Sequence, residues 1–244
     1  MNTAQTIRES VAEVERLREE SRLVPAIGAA VVRLKRFQAR RFAGTYADLL
    51  ASQSYAAAAR FFLEELYSER DYGDRDAQFA RIAGAVEKLF PRDVADTAAT
   101  LARLHALTES LDHGMARIEP LDGHDDVDGY VRAWKAIGRR EDRQRQLETV
   151  VAVGAEMTRL TRLPGIRMML KMMRGPASAA GMSSLQRFLE AGFDTFAEVA
   201  KQRGGAERFL EIIREREQHL VDLLFDADLV ACETELRSIL GQAR

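Results

Sequence analysis

Apolar residues return every three or four positions along nearly the whole chain and almost nowhere alternate, which is the pattern of packed helices and not of strands. Alanine, leucine, arginine and glutamate, all strong helix formers, dominate the sequence. Its five prolines, Pro25, Pro91, Pro120, Pro164 and Pro176, stand where helices can begin. The spacing predicts an all-α fold, a compact multi-helix bundle of about nine to eleven helices. It reads as a single domain over 1–244, with the one weak subdivision at 119–129.

Helices are expected over about 3–22, 25–50 with a break near Gly44, 54–67, and 74–90. The next starts at Pro91 and stops at Gly114, where a glycine suits a helix end. Asp and Gly crowd the stretch EPLDGHDDVDG, which reads as a loop. Beyond it come 130–163, as one long helix or two bent near Gly138, and a short helix over 164–174 closed by Gly175-Pro176. A helix over 183–202 ends at Gly204-Gly205, and a long amphipathic stretch over 206–240 breaks near Asp226.

Hydrophobic content of 46% and charged content of 30% over 244 residues belong to a folded globular chain. A net charge of −2 argues against general nucleic-acid binding, which needs a strongly basic face. The lone Cys232 excludes an internal disulfide framework and reads as a small buried hydrophobe. No apolar block opens the chain and no long apolar window follows, so a cytoplasmic protein without a transmembrane segment is expected.

Charge is unevenly placed. From Met157 to Leu189 there is no acid, and the stretch carries +6, so the remainder carries −8. Six of the eight methionines lie there. On the expected 164–174 helix, Ile166, Met169, Leu170 and Met173 share one face, Arg167, Lys171 and Arg174 the other, and Met168 and Met172 flank the seam. Adaptable thioethers beside cations suit an acidic protein partner, with an anionic membrane surface as the weaker fit. The candidate partner-binding residues are Arg167, Met169, Lys171, Met173 and Arg174.

The segment FFLEELYSERDYGDRDAQFARI, with Phe61-Phe62, Leu66-Tyr67, Asp71, Arg75-Asp76 and the later Leu89-Phe90-Pro91, resembles a signature of uncharacterised all-helical bacterial proteins. The likeness extends over most of the chain, including GFDTF at 192–196. It implies a helical bacterial protein and carries no activity, cofactor or site residue. Read physically, the segment is a helix end tied down by Arg–Asp pairs. The functional alternative is a polar pocket in which Tyr67, Asp71, Tyr72, Arg75 and Asp76 grip a ligand.

A second constellation lies in LARLHALTESLDHG. His105, Glu109 and His113 are spaced four apart, with Asp112 seven beyond His105, so all project toward one side of a helix as candidate ligands of a first-row metal. The spacing matches neither HExxH nor the Glu-x-x-His of di-iron bundles. A solvated or partly buried helix face is therefore the plainer reading, with His113 as a last-turn residue. A haem held through His105 is the other cofactor alternative. The acidic loop from Asp122 fails the EF-hand pattern, and no nucleophile motif occurs. Arg139 to Gln146, RREDRQRQ, reads as a solvated helix face.

The leading expectation is a non-enzymatic cytoplasmic interaction protein docking an acidic partner through 164–174. The rival is a helical-bundle ligand- or metal-binding protein, an enzyme among the options, using the His/Glu face or the turn after FFLEELY. The long C-terminal pattern is of a kind that pairs with a second copy.

Overall fold

The computed structural model describes residues 2–65, 73–118, 121, 126–202 and 204–243. Among these the chain is all-helical, without a strand, in the order α1 (Thr3–Leu23), α2 (Pro25–Thr45), α3 (Ala47–Ala51), α4 (Ala56–Glu65), α5 (Gly73–Leu89), α6 (Arg92–Ile118) and α7 (Val127–Ile137). There follow α8 (Arg140–Thr161), α9 (Ile166–Met172), α10 (Arg174–Ala179), α11 (Ser183–Val199), α12 (Gly205–Asp226) and α13 (Leu229–Gln242). These are thirteen segments among the described residues, or twelve if α9 and α10, parted only by Met173, count as one bent rod. The spacing predicted nine to eleven. The excess comes from short pieces, α3 and α10, that apolar periodicity does not resolve.

Local chemistry explains most boundaries. Asn2 caps α1, its Oδ1 accepting from the Gln5 N–H at 3.0 Å, and Ile7, Val11, Val14 and Leu17 turn inward from it. Asp126 caps α7 and Asp228 caps α13, each accepting a backbone N–H at 2.8 Å. Gly138 takes φ +61° between α7 and α8, the left-handed turn that parts the two helices.

Two expected boundaries fail. Helix α6 runs through Gly114 to Ile118, because that glycine serves packing: a Cβ there would lie 2.5 Å from Ile137 Cδ1 at the end of α7. Gly175-Pro176 likewise stops nothing. Pro176 sits in the first turn of α10, where its missing N–H costs no hydrogen bond.

Helix α1 packs on α5 and α6, α12 on α8, and α13 on α2 and α7, while α6 touches α2, α7 and α8. One apolar cluster joins α2, α6, α7, α12 and α13 through Leu34, Phe37, Met115, Trp134, Leu224 and Leu236. Cys232 is buried within it. The second joins the end of α2 to α4, α8, α11 and α12 through Phe42, Phe62, Leu147, Phe196 and Phe209. No helix among the described residues is long and apolar enough to cross a membrane.

Candidate functional site

Where the two clusters meet, the interior is polar. A cavity of about 100 Å³ is lined by Phe42, Phe62, Leu147 and Ile213 from one cluster and by Tyr130, Trp134 and Val221 from the other. Between these rings stand Lys35, Gln38 and Arg41 of α2, Glu109 and Asp112 of α6, Arg143 and Gln146 of α8, and Glu217 of α12. None of the residues lining it is exposed.

Helical geometry brings these groups to one place. At about 100° per residue, His105, Glu109 and Asp112 fall within about 60° of arc, whereas His113 stands about 100° round from Asp112. The first three line the cavity; His113 faces α1 instead, its Nε2 3.8 Å from Glu20 Oε2. On α2 the residues Lys35, Gln38 and Arg41 repeat every three positions and share the inward side.

The charges are held in defined bonds. Lys35 Nζ donates to Glu109 Oε1 at 2.6 Å, and Gln38 Nε2 donates to Asp112 Oδ1 at 2.9 Å. Glu217 Oε1 accepts from Arg41 at 2.5 Å and from the Tyr46 hydroxyl at 2.9 Å. Arg143, 5% exposed, lies with its guanidinium 4.1 Å from the centre of the Trp134 ring. It donates to Gln146 Oε1 and to the Met115 sulfur, each at 3.1 Å. The Trp134 indole N–H is buried and has no hydrogen-bond partner among the described residues.

Burial pushes the Asp112 carboxyl up, against the pull of Arg143 and Lys35, so its protonated form is favoured relative to a carboxylate in water. Burial also raises the Tyr130 phenol. It lowers His113, which Glu20 only partly offsets. For Asp76 burial acts upward too, but contacts with His105 and Arg18 outweigh it and hold the carboxyl below the ordinary range.

A second cavity, of about 110 Å³, adjoins the first across a shared collar of Phe62, Arg75, His105, Thr108, Gln146 and Val150. Its far wall is apolar, built from Val11, Phe79, Leu101, Leu104, Leu185 and Leu189. In the collar, Arg75 lies 4.3 Å from the Phe188 ring centre and reaches Glu65 at 3.3 Å. His105 Nε2 meets Asp76 Oδ2 at 2.9 Å, an oxygen that also accepts from Arg18 at 2.7 Å.

The structure joins halves of two candidate sites that the sequence kept apart. Arg75 and Asp76 from the turn segment meet His105 and Glu109 from α6 around the paired cavities. Tyr67, Asp71 and Tyr72 lie outside the described residues, as does the acidic loop 122–125. The metal set does not assemble. His105 turns to Asp76, Glu109 to Lys35 and His113 to Glu20, and no group of three or more His, Cys, Asp or Glu side chains among the described residues is placed to hold a metal. His113 is also not in a last turn, since α6 continues past it.

On α9, Ile166 and Leu170 are buried against Phe193, and Met169 and Met173 are half-buried. Met168 and Met172 are 63% and 71% exposed, beside the exposed Lys171. The arginines of this surface are paired: Arg167 Nε donates to Asp194 at 2.9 Å, and Arg174 Nε to Glu190 at 2.7 Å. The Arg174 contact holds the Glu190 carboxyl down to about 2.

Sequence reasoning missed Lys35, Gln38, Arg41, Trp134, Arg143 and Glu217. A signal existed on α2, where polar residues at 35, 38 and 41 interleave with the apolar Leu34, Phe37 and Phe42. RREDRQRQ is solvated only in part. Arg140 pairs with Asp222 and Asp226 on the outside, while Arg143 and Gln146, three residues apart, turn inward.

Residues 17–230 match the family described as a domain of unknown function (DUF8198). Neither the curated proteins nor the solved structures offer a match to the chain. With the family match covering most of its length, the chain belongs to the DUF8198 family.

Proposed function

We propose that this chain is a small-molecule-binding helical bundle, with its ligand held in the paired cavities, the first chiefly between α2, α6, α8 and α12 and the second between α1, α5, α6, α8 and α11. The observation that carries this reading is the buried N–H of Trp134, a residue that lines the polar cavity and whose N–H has no acceptor among the described residues. A buried polar group without a partner costs about 1–3 kcal/mol, and an acceptor supplied from outside would recover it. Two cavities of about 100 and 110 Å³ together exceed the ~150 Å³ that accommodates a benzene-sized molecule.

Trp134 is the only tryptophan, so its emission reports on the cavity alone. The test is native mass spectrometry and tryptophan emission of the protein mixed with a deproteinised cell extract. Filling the collar with Val150→Phe serves as control. A retained small-molecule mass with changed emission, both lost in the variant, is the expected result. Unchanged mass and emission across extract fractions refutes the reading.

A second reading has its own observation. The exposed Met168 and Met172 beside Lys171 suit a non-enzymatic cytoplasmic role in docking an acidic protein partner. The pairing of Arg167 and Arg174 with acids of this same chain weakens that surface, which is why we rank it second.

A further inference from the structure

Resting on the reading of the cavities as a ligand site, we infer that the ligand is a monocarboxylic acid with an apolar tail, its head beside Trp134 and Arg143 and its tail against Leu101, Leu104 and Leu189. The two cavities differ in character and share six lining residues, so a molecule polar at one end only matches the pair.

The polar end calls for an acceptor. Its acids are already engaged: Glu109 by Lys35, Glu217 by Arg41 and Tyr46, Asp112 by Gln38, and Glu65 by Arg75. On the donor side, the Trp134 N–H has no acceptor, and one Arg143 donor is directed at the Met115 thioether, a weak acceptor that a carboxylate would outcompete.

The carboxyl groups of Glu65, Glu109, Asp112 and Glu217 in the same lining limit the charge of the head. Glu65, Glu109 and Glu217 each take up a cation of the same lining, so the two negative charges of a phosphate monoester are compensated less well than a single charge beside Arg143. An amine would meet those cations directly. The tail end offers Val11, Phe79, Leu185 and the leucines already named; Arg75, His105, Thr108 and Gln146 lie at the collar, and Asp76, which lines only this cavity, is held by His105 and Arg18.

The test compares four probes of one chain length, decanoate, decanol, decylamine and decyl phosphate, by Trp134 emission and by thermal shift on the full chain. The expected result is saturable binding of decanoate, at least about tenfold tighter than the other three. Butyrate, which has the head without the tail, binds at least about tenfold more weakly than decanoate. Val150→Phe in the collar, or Ala102→Leu in the apolar wall should the first variant not fold, abolishes decanoate binding.

Equal binding of decanol, decylamine or decyl phosphate overturns the assignment of the head and leaves the ligand site standing. Butyrate binding as tightly as decanoate overturns the assignment of the tail. Binding that persists in both the collar and wall variants places the probe elsewhere and overturns the inference. Failure of all four decyl probes overturns it as well, while the cavity reading itself stands or falls on the extract experiment.

Discussion

Replacing Trp134 by Phe separates a waiting donor from an ordinary core tryptophan. The indole packs against Tyr130 and Phe225, with ring centres 5.9 and 5.8 Å away, and lies under the Arg143 guanidinium. Phenylalanine keeps a ring there and removes roughly 40 Å³, which at ~24 cal/mol per Å³ costs about 1 kcal/mol. Lost apolar burial adds about 1 kcal/mol. Against this, the variant relieves a buried unpaired N–H worth about 1–3 kcal/mol. The ligand-free variant should therefore unfold within about 1 kcal/mol of the wild type. Urea denaturation followed by circular dichroism, with an unchanged m-value, measures this directly. Decanoate affinity, read by calorimetry, should fall about tenfold for one lost charge-assisted hydrogen bond. A destabilisation of about 3 kcal/mol or more would mean the N–H is satisfied in the free protein, and the reasoning fails. Unaltered decanoate affinity would refute it equally.

Gly44→Ala would put a Cβ 2.0 Å from the Ile239 carbonyl oxygen, so α13 must move off α2; a loss of about 2 kcal/mol in thermal denaturation is expected despite alanine's better helix propensity, and an unchanged Tm refutes the contact. Because His113 is lowered from its ordinary value of 6.5, the unfolded chain takes up its proton first; stability is full above that pH and declines as pH falls below it, and His113→Asn should flatten the decline in a pH series of urea midpoints. Asp112 is raised above 3.8, so its stabilisation is full below that pH and is lost as pH rises; Asp112→Asn should remove that slope, and persistence of the slope contradicts the assignment. Charge reversal at Arg167, Lys171 and Arg174 breaks only exposed pairs and should leave the circular dichroism spectrum and the cooperative melt intact. Loss of a protein partner captured by the wild type, with that fold retained, would promote the docking role of α9; unchanged capture would remove it.

Legibility in the sequence divided along physical lines. Helices with a single continuous apolar stripe, such as α1 with Ile7, Val11 and Val14, were readable from periodicity alone. Breaks at Gly138 and Asp226 also left local signs, while the break expected near Gly44 falls at Tyr46. Gly114 misled because a glycine chosen for close contact with Ile137 looks the same, in one dimension, as a glycine that ends a helix. The site was half legible for the same reason. His105, Glu109, Arg75 and Asp76 stood out as polar groups in suggestive local patterns. The convergence of Lys35, Arg143 and Glu217 on them depends on packing α2, α8 and α12 against α6 or each other, which no local spacing records. Arg143 was hardest to see, since RREDRQRQ carries charge all round the helix and only the fold decides which arginine is buried.

The most direct test follows the Trp134 indole N–H itself. One tryptophan gives one indole cross-peak in a proton–nitrogen correlation spectrum, so no assignment problem arises. Titration of the full chain with decanoate should move that peak downfield in a saturable way as the N–H gains a charged acceptor, with no movement in Val150→Phe. A peak that stays in place while decanoate binds would contradict the claim that this buried donor waits for a ligand.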